Sequence, residues 1–277
     1  MVQKRLPEVI RLPVLDHREV AEGHWELVLP LEGGLADVVP GQFVNVLCRD
    51  SVAYDPLLRR PFSVYWANGD RFGVMYRVVG RGTRLLSRLK AGDTVDLVGP
   101  LGRGFDWLPF KDRQGGRLVL VGGGVGVPPI YFLSERLKAD GLSHTALVGF
   151  TGAKQIVAVD RWRSGGVEPG IATVDGSVGH PGFVTDLLQA ALEQRDFGAP
   201  VMGVFACGPA AMLAAVSEIC KRHEVPCQVA MEEWMGCGLG VCLSCVCKVQ
   251  GETGEPEWAR VCREGPVFDG AKVVWGG

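Results

Sequence analysis

Leu118-Val119-Leu120-Val121-Gly122-Gly123-Gly124-Val125-Gly126-Val127-Pro128-Pro129-Ile130 is an apolar run that ends in a glycine cluster and resumes at helical spacing through Ile130, Leu133 and Leu137. A buried strand, a tight turn and a helix fit that order. Such a turn offers backbone N–H groups and a helix dipole to an anion, and a pyrophosphate suits it. The spacing is Gly-x-Gly-x-x-Pro, and a tight turn with close strand–helix packing is the competing reading. Further apolar runs, Ala146-Leu147-Val148-Gly149-Phe150 and Gly203-Val204-Phe205-Ala206, alternate with helical patterns. Residues 109–224 therefore read as an α/β domain with a parallel sheet. Phe150 is followed by Thr151-Gly152-Ala153-Lys154, so no ribose-binding acid follows the second strand.

Working toward the N-terminus, residues 1–108 carry short β-rich runs at 23–29, 43–47, 72–79 and 94–98, punctuated by Pro40-Gly41, Asn68-Gly69 and Ala91-Gly92-Asp93. Many short strands at this spacing predict a β-barrel, with one helix between Thr83 and Lys90. Within it, Arg59-Arg60-Pro61-Phe62-Ser63 sets two guanidinium groups beside a strand, suited to phosphate or merely solvated. Gly80-Arg81-Gly82-Thr83 precedes the helix and again suits a pyrophosphate.

Toward the C-terminus, eight of the nine cysteines lie at 207 and beyond. Cys237, Cys242, Cys245 and Cys262 follow Cys-x-x-x-x-Cys-x-x-Cys…Cys, the plant-type 2Fe–2S spacing. A zinc ribbon would show two Cys-x-x-Cys pairs, and this run has one. Cys247 is an extra thiol, either a rival ligand or a packed neighbour. Residues 225–277 read as a small 2Fe–2S domain.

Composition agrees with a globular chain: 47% hydrophobic, 22% charged, and a net charge of −2 that gives no footprint for nucleic acid or an anionic membrane. No uncharged stretch is long and apolar enough for a membrane span. Charged residues from Lys4 to Glu19 interrupt any signal-peptide core, and a cytoplasmic location is expected.

Arg60-Pro61-Phe62-Ser63 resembles the Arg-x-Tyr-Ser/Thr flavin motif of the ferredoxin–NADP reductase superfamily, with Phe62 in place of the usual Tyr. Gly123-Gly124-Val125-Gly126-Val127-Pro128 and Cys207-Gly208-Pro209 are similar to that superfamily's nicotinamide side. With Tyr76-Arg77-Val78-Val79-Gly80-Arg81-Gly82-Thr83, Asp175-Gly176-Ser177, the Cys237–Cys245 run and Cys262-Arg263-Glu264-Gly265-Pro266-Val267-Phe268, the chain resembles the electron-transfer subunits of type B dihydroorotate dehydrogenase from Pro40 to Phe268. The resemblance implies an FAD site at Arg60 (phosphate), Pro61, Phe62, Ser63, Tyr76, Val78, Gly82 and Thr83. It implies an NAD site at Gly123, Gly124, Gly126, Cys207, Gly208 and Pro209. It also implies a 2Fe–2S cluster and a separate FMN-bearing catalytic subunit, in a heterotetramer of two of each, serving pyrimidine biosynthesis. The chemistry belongs to the cofactors, so no acid–base residue is expected and the five histidines are read as structural. Lys154, Arg161 and Arg163 keep NADP in view beside NAD. Trp234, Met235, Leu239 and Val241 are candidate partner contacts, with internal packing as the alternative. A related NAD(P)H reductase subunit with another redox partner is the alternative, and a nucleotide-sensing module with structural zinc is the non-redox one.

Overall fold

A computed structural model describes residues 7–49, 54–113, 115–193 and 199–276. The turn-punctuated runs of the first hundred residues become β1 (Glu8–Pro13), β2 (Asp16–Ala21), β3 (His24–Pro30), β4 (Phe43–Val46), β5 (Arg60–Asn68), β6 (Arg71–Arg77), the helix α1 (Arg81–Leu86) and β7 (Thr94–Leu101). The strands form one antiparallel sheet in the order β1-β7-β4-β5-β6-β3-β2, curled into a half-barrel.

Side-chain alternation divides β4 and β5 between two faces. Val44, Val46, Phe62 and Val64 enter the barrel core with Leu27, Phe72 and Leu97. Phe43, Asn45, Pro61 and Ser63 take the opposite face. The register sets them in two rows across β7, β4 and β5: Leu101–Phe43–Ser63 and Val98–Asn45–Pro61.

The strand–helix alternation that follows gives β8 (Arg117–Gly123), α2 (Val127–Ala139), β9 (His144–Phe150), α3 (Val159–Ser164), β10 (Gly170–Thr173), β11 (His180–Pro181), α4 (Val184–Glu193), β12 (Val201–Cys207), α5 (Ala210–Arg222) and β13 (Cys227–Ala230). Beyond them lie β14 (Val246–Gln250), β15 (Pro256–Arg260) and β16 (Val267–Asp269). The second sheet runs β11-β10-β9-β8-β12-β13-β16, parallel except for β16, while β14 and β15 pair alone. The line drawn at 224/225 in the sequence thus falls inside this sheet. β13 and β16 anchor the cysteine-rich segment to the α/β layer, and residues 231–266 leave and return between them.

Two of the contacts that join the layers matter most for the site. At the first, a register shift between Val64 and Trp66 turns both Tyr65 and Trp66 out of the barrel toward α2 and α3. Tyr65 packs on Tyr131, and Tyr131 meets Trp162 edge-on at 5.4 Å. Beside them Glu26, only 1% exposed, accepts from Arg18 (2.8 Å), from Trp66 Nε1 (2.8 Å) and, across the interface, from Arg161 (2.6 Å). Arg161 also lies over the Tyr65 and Trp66 rings. At the second contact, Phe43, Val98 and Leu101 on the outer barrel face pack with Cys245, Val261 and Cys262. Among the described residues no helix is long and apolar enough to cross a membrane.

A buried carboxylate shared by two guanidinium groups is costly to remove, because its partners lose their acceptor. Glu26→Ala is expected to lower unfolding stability by about 2–4 kcal/mol. A urea titration followed by tryptophan fluorescence should show the midpoint falling with little change in slope.

Candidate functional site

The two arginines of the barrel motif have different fates. Arg59 is tied down: Nη2 pairs with Asp96 Oδ1 at 2.5 Å and Nη1 donates to the Asp96 and Asn45 carbonyls. Arg60, half-buried, donates only to the backbone carbonyls of Leu58 and Arg59 and meets no carboxylate among the described residues. It is the guanidinium available to a phosphate. Gly82 packs against it: a Cβ at 82 would lie 3.7 Å from Arg60 Cγ and 3.3 Å from Cys48 Cβ. The start of α1 therefore converges with Arg60. The Thr83 hydroxyl is spent within the turn, accepting from Val79 and Gly80 N–H and donating to the Gly80 carbonyl. An anion at the start of α1 would therefore meet backbone N–H groups instead.

The other residues of this set divide by strand face. Pro61 and Ser63 are half-buried on the outer face, and Val78 is half-buried just beyond β6. Phe62 and Tyr76 lie in the barrel core with rings 5.3 Å apart, and the Tyr76 hydroxyl bonds His17 Nε2 at 2.9 Å. His17 reaches the Leu89 carbonyl with its other nitrogen, and burial lowers its pKa. His144, half-buried like His17, bonds the buried Ser134 hydroxyl through Nε2 at 2.7 Å. Both histidines are structural.

On the α/β side, β8 and β12 are neighbours, and their C-terminal turns pack together. A Cβ at Gly126 would lie 2.2 Å from the Cys207 carbonyl oxygen, and one at Gly208 would lie 3.2 Å from Gly123 Cα. The two glycine motifs thus form one surface at the carboxyl edge of the sheet, where open α/β sheets hold ligands. Pro128 and Pro129 open α2 and carry no N–H, so an anion here would meet the loop amides rather than the helix's first turn.

The acid missing after β9 arrives from its neighbour. Asp175, just past β10, holds its carboxylate where a Gly152 Cβ would be, 2.2 Å from Oδ2. The Ser177 hydroxyl and N–H both donate to it and hold its pKa below the usual carboxylate range. The Asp-Gly-Ser run was visible in the sequence, but its place beside Gly152 depends on sheet order. All three basic residues nearby have acidic partners: Arg161 with Glu26, Arg163 with Glu168 and Lys154 with Glu22. Recognition of a 2′-phosphate would need one of them free.

The cysteine loop gathers its thiols in pairs. Cys237 and Cys242 interact at the surface; Cys245 and Cys262 interact in the interior, and Cys237 is close enough for its charge to act on Cys262. Leu239 and Val241 N–H donate to Cys237 Sγ (3.3 and 3.4 Å), and Cys237 N–H donates to Cys242 Sγ (3.4 Å). The Ser244 hydroxyl and nearby backbone N–H groups lower the exposed Cys242 thiol to about 6, whereas burial pushes Cys262 up to about 12. Arg260 pins the loop by donating to the Gly240 carbonyl at 2.8 Å while pairing with Glu264. Leu243, between two of the thiols, is held at φ 59°, a strained setting for a side chain with a Cβ.

A zinc ion needs its sulfurs at about 2.3 Å from a single point. Among the described residues no three His, Cys, Asp or Glu side chains close around one ion. Four thiols in two pairs, receiving N–H donors, fit a two-iron cluster better. Cys247, opposite Ala259 in the β14–β15 pair, is buried in the core and burial pushes its thiol up to about 11. It is a packed neighbour.

Residues 232–274 match the family model described as the iron–sulfur cluster binding domain of dihydroorotate dehydrogenase B. The electron transfer subunits of dihydroorotate dehydrogenase B (NAD(+)) from Bacillus mycoides (strain KBAB4) and Bacillus cereus (strain B4264) are each 38% identical over 266 residues, covering 94% of this chain and 96% of theirs. This chain belongs to the family of dihydroorotate dehydrogenase B electron transfer subunits. The solved structure of an NADH-dependent reduced ferredoxin-NADP oxidoreductase is 28% identical, with a TM-score of 0.80 over 99% of this chain and 92% of that one.

Around the family's cluster segment the surface is apolar. Trp234 is 89% exposed and Val241 79%, with Leu239, Leu243 and Trp258 also exposed, while Met235 packs inward. Leu243 and Trp258 are the two that the sequence did not single out.

Two substitutions check this geometry. Arg60→Ala should leave the fold intact and release flavin on dialysis, read as a fall in flavin per chain. Asp175→Asn should raise KM for NADH by about 10–100-fold with little change in kcat, because a hydrogen bond to a charged acceptor is lost from binding alone.

Proposed function

We propose that this chain is the electron-transfer flavo-iron–sulfur subunit of an NAD-dependent dihydroorotate dehydrogenase B, acting in pyrimidine biosynthesis. The observation that carries this reading is the seating of the four-cysteine loop on the outer barrel face that also bears Pro61 and Ser63. When bound, FAD links two-electron exchange with NAD to one-electron exchange with the 2Fe–2S cluster, which serves the FMN of a separate catalytic subunit.

The chain's residues do the placing. Arg60 and the amides at the start of α1 hold the FAD pyrophosphate, with Pro61, Phe62, Ser63, Tyr76, Val78, Gly82 and Thr83 shaping the site. Gly123, Gly124, Gly126, Cys207, Gly208 and Pro209 form the floor for the nicotinamide half of NAD, and Asp175 takes its adenosine ribose. Cys237, Cys242, Cys245 and Cys262 would together hold the 2Fe–2S cluster. N–H groups aimed at Cys237 and Cys242 favour the reduced cluster.

Residues 1–108, 109–224 and 225–277 serve FAD, NAD and cluster respectively, the last tied to the second through β13 and β16. Trp234, Leu239, Val241 and Leu243 face the catalytic subunit, in an assembly of two of each. The nine cysteines stand free of disulfides, which fits the reducing cytoplasm. The likeness to a ferredoxin-NADP oxidoreductase structure supports a second reading, in which the same cofactors serve another redox partner.

Anaerobically purified chain should carry FAD and two irons. Combined with an FMN-type catalytic subunit, it should reduce NAD when dihydroorotate is added. Cys242→Ser should abolish the cluster spectrum and this coupled activity while FAD remains. A colourless wild type containing zinc would defeat the reading, and a loaded chain inert toward dihydroorotate would favour the second one.

A further inference from the structure

Asn45 is 0% exposed, the one polar side chain of Phe43-Val44-Asn45-Val46. Its Nδ2 donates to the Cys237 carbonyl at 3.4 Å, 192 residues away along the chain. The contact is so close that a Cβ at Gly238 would lie 2.5 Å from Nδ2, and Gly238 adopts φ +72°. Across the sheet Asn45 sits directly opposite Pro61 on the same face, a spacing of about 5 Å between Cβ atoms. One side chain therefore touches the loop of the first cluster thiol and borders the flavin motif.

Its other end is unusual. Asn45 Oδ1 is buried with no hydrogen-bond partner among the described residues. An unpaired buried acceptor destabilises a fold, and an apolar residue of the same shape would avoid that penalty. The amide is thus poorly explained by the stability of the chain alone. Its placement between two cofactor motifs explains it better.

We propose that Asn45 is a positioning residue that fixes the cluster loop against the flavin-bearing face and sets the cluster's reduction potential relative to the flavin. This rests on the FAD and 2Fe–2S reading above. The Nδ2 dipole presents its positive end to the Cys237 peptide inside a poorly screened interior, where it favours the more negative, reduced cluster.

The test uses the loaded wild-type chain beside Asn45→Leu and Asn45→Asp, with flavin and iron content, thermal midpoint, cluster EPR and anaerobic redox titration measured together. Asn45→Leu should keep FAD and iron with a thermal midpoint equal to or above wild type. Its cluster should show a changed EPR spectrum, and its flavin–cluster electron equilibrium should move about tenfold toward the flavin, ~59 mV for a one-electron couple. Asn45→Asp, which keeps the shape, loses the N–H and adds a negative charge where it ionises, should shift the same way and further; if the Leu variant does not load, a loaded Asp variant with wild-type potential and EPR overturns the proposal. Loaded variants with wild-type potential and EPR, whatever their thermal midpoints, overturn the proposal. A wild type without flavin or iron defeats the functional reading, and the proposal with it; unshifted variants of a loaded wild type defeat the proposal alone.

Discussion

The close approach of the cysteine loop to strand β4 governs the rest of this architecture. Gly238 can come within reach of Asn45 only because it has no side chain, and its left-handed backbone turns the loop back toward the thiols. Behind that contact Phe43, Val98 and Leu101, from two adjacent rows of the outer face, give the loop an apolar seat shared with Cys245, Val261 and Cys262. Burying each large apolar side chain contributes about 1.5–3 kcal/mol, so the seat holds the loop more firmly than its few hydrogen bonds could. A loop otherwise rich in glycine and exposed apolar side chains acquires a fixed position from the barrel beneath it.

Much of this was legible in the sequence, and what was not has a common cause. Period-two runs gave the strands at 24–30, 43–46 and 94–101 within a few residues, and the glycine-terminated apolar run gave β8 and α2. Cysteine spacing singled out four thiols that the fold brings into two pairs. The less legible features depend on which strand lies beside which. Asp175 serves the end of β9 from the end of β10, so looking for an acid along the chain after Phe150 finds none. Asn45 reads as an interruption in a β-run until its neighbour 192 residues away is known. The cysteine-rich segment looks separate by composition, yet β13 and β16 belong to the second sheet, because four-residue and three-residue strands leave little periodicity to read. Thr83 was suited to phosphate by type, but its own turn consumes the hydroxyl.

Charge at the nucleotide edge is set by pairing more than by composition. Three basic side chains follow β9, and counting them would suggest a phosphate pocket. Each is matched by an acid, and one of those acids, Glu26, is buried. Taking Arg161 from Glu26 would leave a buried carboxylate with Arg18 as its one remaining cation among the described residues, which favours keeping Arg161 where it is. Asp175 then stands beside Gly152 at that edge, and a carboxylate facing a ribose there would repel a 2′-phosphate while accepting from a 2′-hydroxyl. The interdomain packing thus commits Arg161 to Glu26 and draws it away from that edge.

That same packing bears on electron transfer. The α/β layer grips the half-barrel at two separate places: through Glu26, Tyr65 and Trp66 on one side, and through the cysteine segment on the other, where Arg103 N–H donates to the Gly265 carbonyl at 2.6 Å. A hinge between the layers would have to open a buried charge cluster or lift the cysteine loop from its apolar seat, and each is costly on its own. With both in place, the flavin motif, the paired glycine turns and the thiol pairs are held in one arrangement. A protein that passes single electrons between bound groups needs such constancy, since the groups cannot diffuse to meet one another. The two-sided grip supplies it from ordinary packing and one shared carboxylate.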